Sequence, residues 1–188
     1  MAVRTLHQQK PNTIYFITVT CYRWLPLIDK TNSYDLFYKW FDYLNSSSIR
    51  ITGYVIMPNH AHLLLYFPEM KKTLNTIVGN GKRIIAYEII RRLKESNDLA
   101  LLSLLHVGVR KRERQKGQLH KVFEDSFDAK ECYSKDFVFQ KLDYMHHNPI
   151  TGKWNLAKDS LSYAHSSAAF YEGGSAAYKH LVRIEEFL

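Results

Sequence analysis

Ile49-Arg-Ile-Thr-Gly-Tyr-Val-Ile-Met-Pro-Asn-His-Ala-His-Leu-Leu-Leu-Tyr-Phe67 decides the fold. Two runs rich in β-branched and aromatic residues, Ile49 to Met57 and His60 to Phe67, read as strands. Only Pro58-Asn59 separates them, a hairpin-length connection, so the strands pair antiparallel. Upstream, Ile14 to Cys21 (IYFITVTC) is apolar on both faces and reads as a central strand. Between the two regions Leu36, Phe37, Trp40, Phe41 and Leu44 mark a helix from about Ser33 to Leu44.

Downstream the helical pattern returns over Thr73 to Ser96, where Gly79 and Gly81 mark a bend or a close backbone approach. Residues 97–121 give no clear pattern. A short strand is expected within Val122 to Cys132, and a helix over Ser134 to His147, ended by Asn148-Pro149. The tail from Thr151 reads as loop, with a short helix from Ala176. The order is strand, helix, strand, strand, helix, strand, helix. It predicts an α+β, ferredoxin-like sandwich: a central antiparallel sheet with helices packed on it. At 188 residues the chain suits one domain, 1–188, with 151–188 as a C-terminal tail.

Hydrophobic residues make up 46% of the chain, including 10 Phe, 13 Tyr and 3 Trp, which is enough for a core and argues against disorder. The formal charge is +8, favouring an anionic partner such as nucleic acid. Two cysteines, Cys21 and Cys132, without C-x-x-C spacing, imply buried thiols in a reducing compartment rather than a disulfide framework. Met1 to Gln9 lacks the apolar centre of a signal peptide. Leu99 to Val109 is about half the length of a membrane helix. A cytoplasmic protein with no membrane partner is the expectation.

His60 and His62 stand two apart on the third strand, so their side chains share a face, about 7 Å apart at their base. They can meet on one metal ion while Ala61, Leu63 and Leu65 enter the core. Imidazole suits Mn, Zn, Fe or Ni, whereas Mg²⁺ prefers oxygen donors that would have to complete the site. Two half-exposed structural histidines would be spelled the same way, and the strand alone leaves both readings open.

On the last predicted helix, Phe137, Lys141, Tyr144 and Asn148 recur at helical spacing on a mixed face, while Val138, Leu142 and Met145 form the apolar strip beside it. A tyrosine suits transesterification on DNA. Its phenol is a fair leaving group, with a reference pKa of about 10 against about 16 for water, so a phosphotyrosine bond keeps the phosphodiester energy.

Together these segments resemble the REP-associated tyrosine transposases, a branch of the IS200-like single-tyrosine transposases with HUH nuclease chemistry. The resemblance runs through Tyr15-Phe-Ile-Thr-Val-Thr20, Val55-Ile-Met-Pro-Asn-His-Ala-His62, Gly81-Lys82-Arg83, Val122-Phe-Glu-Asp-Ser-Phe-Asp128, Tyr144-Met-His-His-Asn148-Pro149 and Tyr163-Ala-His-Ser-Ser167. It implies a divalent metal, Mg²⁺ or Mn²⁺, held by His60, His62 and Asn148, with Tyr144 as the nucleophile. Asn148 reaches one methylene less far than the Gln common at that place in related enzymes. The resemblance further implies single-stranded or hairpin DNA as partner, a 5′-phosphotyrosine intermediate, and DNA transposition or recombination as the activity. A homodimer is among the assemblies it allows.

The basic residues form two sets. Lys82 and Arg83 match a Lys-Arg pair of that family. Arg110, Lys111, Arg112 and Arg114 open a stretch from 110 to 121 with six positive charges and one negative, a net of +5. Both are candidate phosphate contacts, and Trp154, Tyr163 and Phe170 are candidates for stacking on bases. Two other functions fit the same residues: a phosphodiesterase that uses water, and a domesticated hairpin-DNA-binding protein that does not cut.

Overall fold

A computed structural model describes residues 9–152 and 154–188. For residues 1–8 the expectation about the N-terminus lies outside the described residues. The chain runs β1 (Thr13–Thr20), α1 (Leu27–Lys30), α2 (Tyr34–Ser46), β2 (Arg50–Ile56), β3 (His60–Phe67), α3 (Leu74–Glu95), α4 (Leu99–Val107), α5 (Lys111–Arg114), β4 (Asp128–Cys132), α6 (Lys135–His147) and α7 (Ala168–Tyr171). The four strands form one antiparallel sheet in the order β2-β3-β1-β4. This is the α+β sandwich expected from the order of elements.

Alternation along β1 divides the core between the two faces of the sheet. Tyr15, Ile17 and Val19 point to one face, joining Phe37, Phe41, Leu44, Ile85 and Ile89 from α2 and α3. Ile14 and Phe16 point to the other, where Leu64 packs with Val138, Leu142 and Met145 of α6. Ala61, Leu63 and Leu65 are fully buried on the α2/α3 face, which sends His60 and His62 to the α6 face.

Two glycines let helices approach closely. A Cβ on Gly81 would lie 2.3 Å from Trp40 Cε2, so this glycine marks a close approach of α3 to α2. Gly79 meets nothing within 4 Å. A Cβ on Gly53 would lie 2.5 Å from Met145 Cε, beside a register shift in the β2–β3 ladder, so this glycine seats α6 on the sheet.

Residues 97–121 hold α4 and α5, which periodicity did not reveal. In α4 Leu99 and Val107 are exposed and only Leu105 is buried, so no amphipathic stripe exists to read. The tail differs from expectation. Among the described residues no helix starts at Ala176; a 3-10 turn spans Ile184–Phe187 instead. The tail also follows the outer edge of β2. Ile56 N–H donates to His165 O (2.9 Å), Ser167 N–H to Tyr54 O (2.9 Å) and Val182 N–H to Ile51 O (3.1 Å). These bonds cap an edge strand that would otherwise be open. Among the described residues no helix is long and apolar enough to cross a membrane.

Candidate metal and nucleophile site

His60 and His62 open β3 opposite Thr20 and Thr18 of β1. They are 4% and 5% exposed, and their ring centroids are 4.8 Å apart at 77°. Imidazoles sharing a metal at about 2.1 Å place their ring centres roughly 4.6–5.3 Å apart, so the separation fits. Burial pushes the pKa of His60 down to about 4. For His62 burial, then the proximity of His60 and Lys141, push it down to about 3. Both rings are therefore neutral at pH 7, the form that ligates metals.

Each ring is held through Nδ1. Asn59 Oδ1 lies 2.7 Å from Nδ1 of His60, and Thr18 Oγ1 lies 2.9 Å from Nδ1 of His62. Phe16 stacks on His62 at 5.2 Å and 21°. This donor set fits a metal at the remaining ring nitrogens. Among the described residues no three His, Cys, Asp or Glu side chains gather on one point, so a metal on the two histidines would need oxygen ligands of another kind, such as amide, water or phosphate.

Tyr144 comes from the opposite side. Ser134 caps α6 by accepting from Phe137 N–H, and the buried Val138, Leu142 and Met145 fix the helix face. The Tyr144 ring therefore lies 5.3 Å from His62 and 6.2 Å from Phe16. It is 52% exposed and open to a large ligand. Lys141, one turn earlier, holds its ammonium 5.8 Å from the Tyr144 ring centre. The helix is further tied by His146, whose Nε2 lies 2.8 Å from the buried Ser167 Oγ; that oxygen also accepts from Tyr54 N–H. Asn148 is the C-cap of α6, one turn beyond Tyr144 and half-buried.

The basic residues separate into two kinds. Lys82 is turned inward: Nζ donates to the carbonyls of Glu124 (2.5 Å), Asp125 (3.4 Å) and Ser126 (3.4 Å). Burial lowers its pKa to about 8. This lysine holds the 124–126 loop, and a role as a phosphate contact does not follow from its position. Arg110 pairs with Glu113 (2.7 Å) and with Asp125, and Arg114 donates to the carbonyls of Val109 (3.1 Å) and His106 (2.9 Å). Arg83, Lys111 and Arg112 are exposed and make no ion pair among the described residues. Arg83 also lines a groove of about 620 Å³ with Tyr87, Lys94 and Lys116.

Of the aromatic candidates, Trp154 lies 6.4 Å from His60. Tyr163 is anchored by its hydroxyl to Ile56 O (2.8 Å), and Phe170 sits under Arg183, 5.9 Å away. Two residues near the histidines escaped sequence reasoning. Trp24 is 57% exposed, stands edge-on to His60 at 5.4 Å and has φ 58°. In the sequence Asn59 reads only as part of the hairpin connection. Its signal is its place directly before the His-x-His pair.

No protein-family model and no curated protein matches the chain in sequence. Among solved structures, the fold matches a REP-associated tyrosine transposase bound to a REP hairpin. The TM-score is 0.56 at 14% identity, covering 88% of this chain and 82% of that one. At that identity the likeness is one of fold.

Proposed function

We propose that the protein is a metal-dependent single-stranded or hairpin DNA nuclease and strand transferase that works through a covalent 5′-phosphotyrosine. The observation that carries this reading is the meeting of Tyr144 with His62, 5.3 Å apart from opposite layers of the fold. The neighbouring fold, solved with a REP hairpin bound, supports DNA as the partner. A divalent metal, Mg²⁺ or Mn²⁺, held by His60 and His62 with Asn148 as a further ligand, would neutralise charge on the scissile phosphate. Tyr144 Oη forms a bond to phosphorus as the bond to the 3′ oxygen breaks. The phenol proton leaves to solvent and the 3′ oxygen takes one up, giving a phosphotyrosine and a free 3′-OH.

Half-exposure gives the Tyr144 phenol access to a DNA strand, and the cation of Lys141 beside it attracts phosphate. Trp24 and Trp154 near His60 offer faces on which flanking bases stack. Arg83, Lys111 and Arg112, exposed and without an ion pair among the described residues, supply sequence-independent phosphate contacts.

The test is incubation with Mn²⁺ or Mg²⁺ and hairpin DNA labelled at either end, followed by denaturing gels. A protein-bound 3′-side fragment that disappears in Tyr144→Phe is the expected result. Free products that survive this substitution would show that water is the nucleophile. Binding without cleavage would leave a hairpin-DNA-binding protein.

A further inference from the structure

Asn59 is 1% exposed, and its backbone carbonyl and both ends of its carboxamide are engaged. Its backbone carbonyl accepts from Cys21 N–H at 2.8 Å, and its side-chain Nδ2 donates to Trp24 O at 3.0 Å. Its Oδ1 lies 2.7 Å from His60 Nδ1. The bond to Trp24 fixes which way the carboxamide faces. A backbone carbonyl only accepts, so reversing the amide would set oxygen against oxygen there. With Oδ1 thus on His60, the hydrogen between them must belong to the imidazole, since a carboxamide oxygen also only accepts. A neutral imidazole with hydrogen on Nδ1 carries its lone pair on Nε2.

We propose that Asn59 is a positioning residue that selects the Nδ1–H tautomer of His60, leaving Nε2 as the atom for a metal. The tautomer assignment stands on these hydrogen bonds alone; its consequence for the metal rests on the function proposed above. Thr18 does not impose the same choice on His62. Its hydroxyl can donate or accept across the 2.9 Å contact, so either tautomer of that ring is satisfied. The two histidines therefore differ in how firmly they are prepared. The hairpin Pro58-Asn59 links this preparation to the Trp24 turn, because one carboxamide bonds both.

The experiment is a long-range ¹H–¹⁵N correlation spectrum of the imidazoles in ¹⁵N-labelled, metal-free protein at neutral pH. It is run on wild type, Asn59→Ala and Asn59→Asp, alongside titration with Mn²⁺ by calorimetry. The wild-type His60 should show a protonated Nδ1 and a bare Nε2. Asn59→Ala should lose that preference and bind Mn²⁺ 10- to 100-fold more weakly, the usual effect of removing a group that orients a metal ligand. Asn59→Asp keeps an acceptor and should keep the tautomer. A wild-type spectrum with hydrogen on Nε2 overturns the proposal even if neither variant folds, and so does an unchanged tautomer in folded Asn59→Ala. A wild-type Nδ1–H tautomer with no Mn²⁺ binding upholds the assignment and defeats the metal reading instead, so the two failures are distinguishable.

Discussion

Tyr144 on α6 stands edge-on to His62 on β3, with ring centroids 5.3 Å apart and an interplanar angle of 63°. The ring is half-exposed and the apolar strip of α6 does not include it. Tyr144→Phe should therefore change stability by no more than about 0.5 kcal/mol. It should abolish covalent attachment of DNA. Urea unfolding checks the first outcome and denaturing gels the second.

What holds Tyr144 in place should be more costly to remove. Ser167 Oγ serves Tyr54 N–H, Tyr54 O and His146 Nε2, and it is fully buried. Ser167→Ala leaves buried partners unsatisfied and should lower unfolding free energy by about 1–3 kcal/mol. Cleavage should weaken as the α6 anchor loosens. Denaturant melts together with initial cleavage rates measure both.

Acid should destabilise the metal-free protein before any carboxylate titrates. Burial lowers His60 to about 4, His62 to about 3 and His146 to about 4. Unfolded, each returns to about 6.5, so between those values the unfolded chain binds more protons than the folded one. Stability is then full above about pH 7 and falls as the pH drops through 6.5 towards 4. The slope is up to about 1.4 kcal/mol per pH unit for each histidine. Unfolding at pH 7.5 and 5.5 should give the lower value at 5.5.

The neighbours Lys82 and Arg83 should behave oppositely. Lys82 holds three carbonyls of the 124–126 loop, while Arg83 is exposed and unpaired among the described residues. Arg83→Ala should reduce the slope of log affinity against log salt for single-stranded DNA by about 0.7. Lys82→Met should leave that slope unchanged and lower thermal stability. Fluorescence anisotropy across a salt series decides between them.

The residues that repeat with a regular period were the legible ones. Leu63 and Leu65 inward, with His60 and His62 opposite, followed from strand alternation, and β3 spans the expected His60 to Phe67. The α6 limits followed from a Ser cap and an Asn-Pro stop. Features built on contacts between distant segments were not legible. The strip of tail along β2 depends on backbone bonds that any sequence can make, such as Val182 N–H to Ile51 O. Lys82 reads as a surface cation until the 124–126 carbonyls that enclose it are placed. The grip of Asn59 on Trp24 and His60 likewise needs the fold.

The most direct test of the central claim is mass spectrometry of the peptides left after the protein reacts with a hairpin oligonucleotide and Mn²⁺ and is digested with protease and nuclease. The account predicts one nucleotidyl-phosphate adduct, on Tyr144, that is lost in His62→Ala. DNA cleaved in the same reaction with Tyr144 unmodified would contradict it.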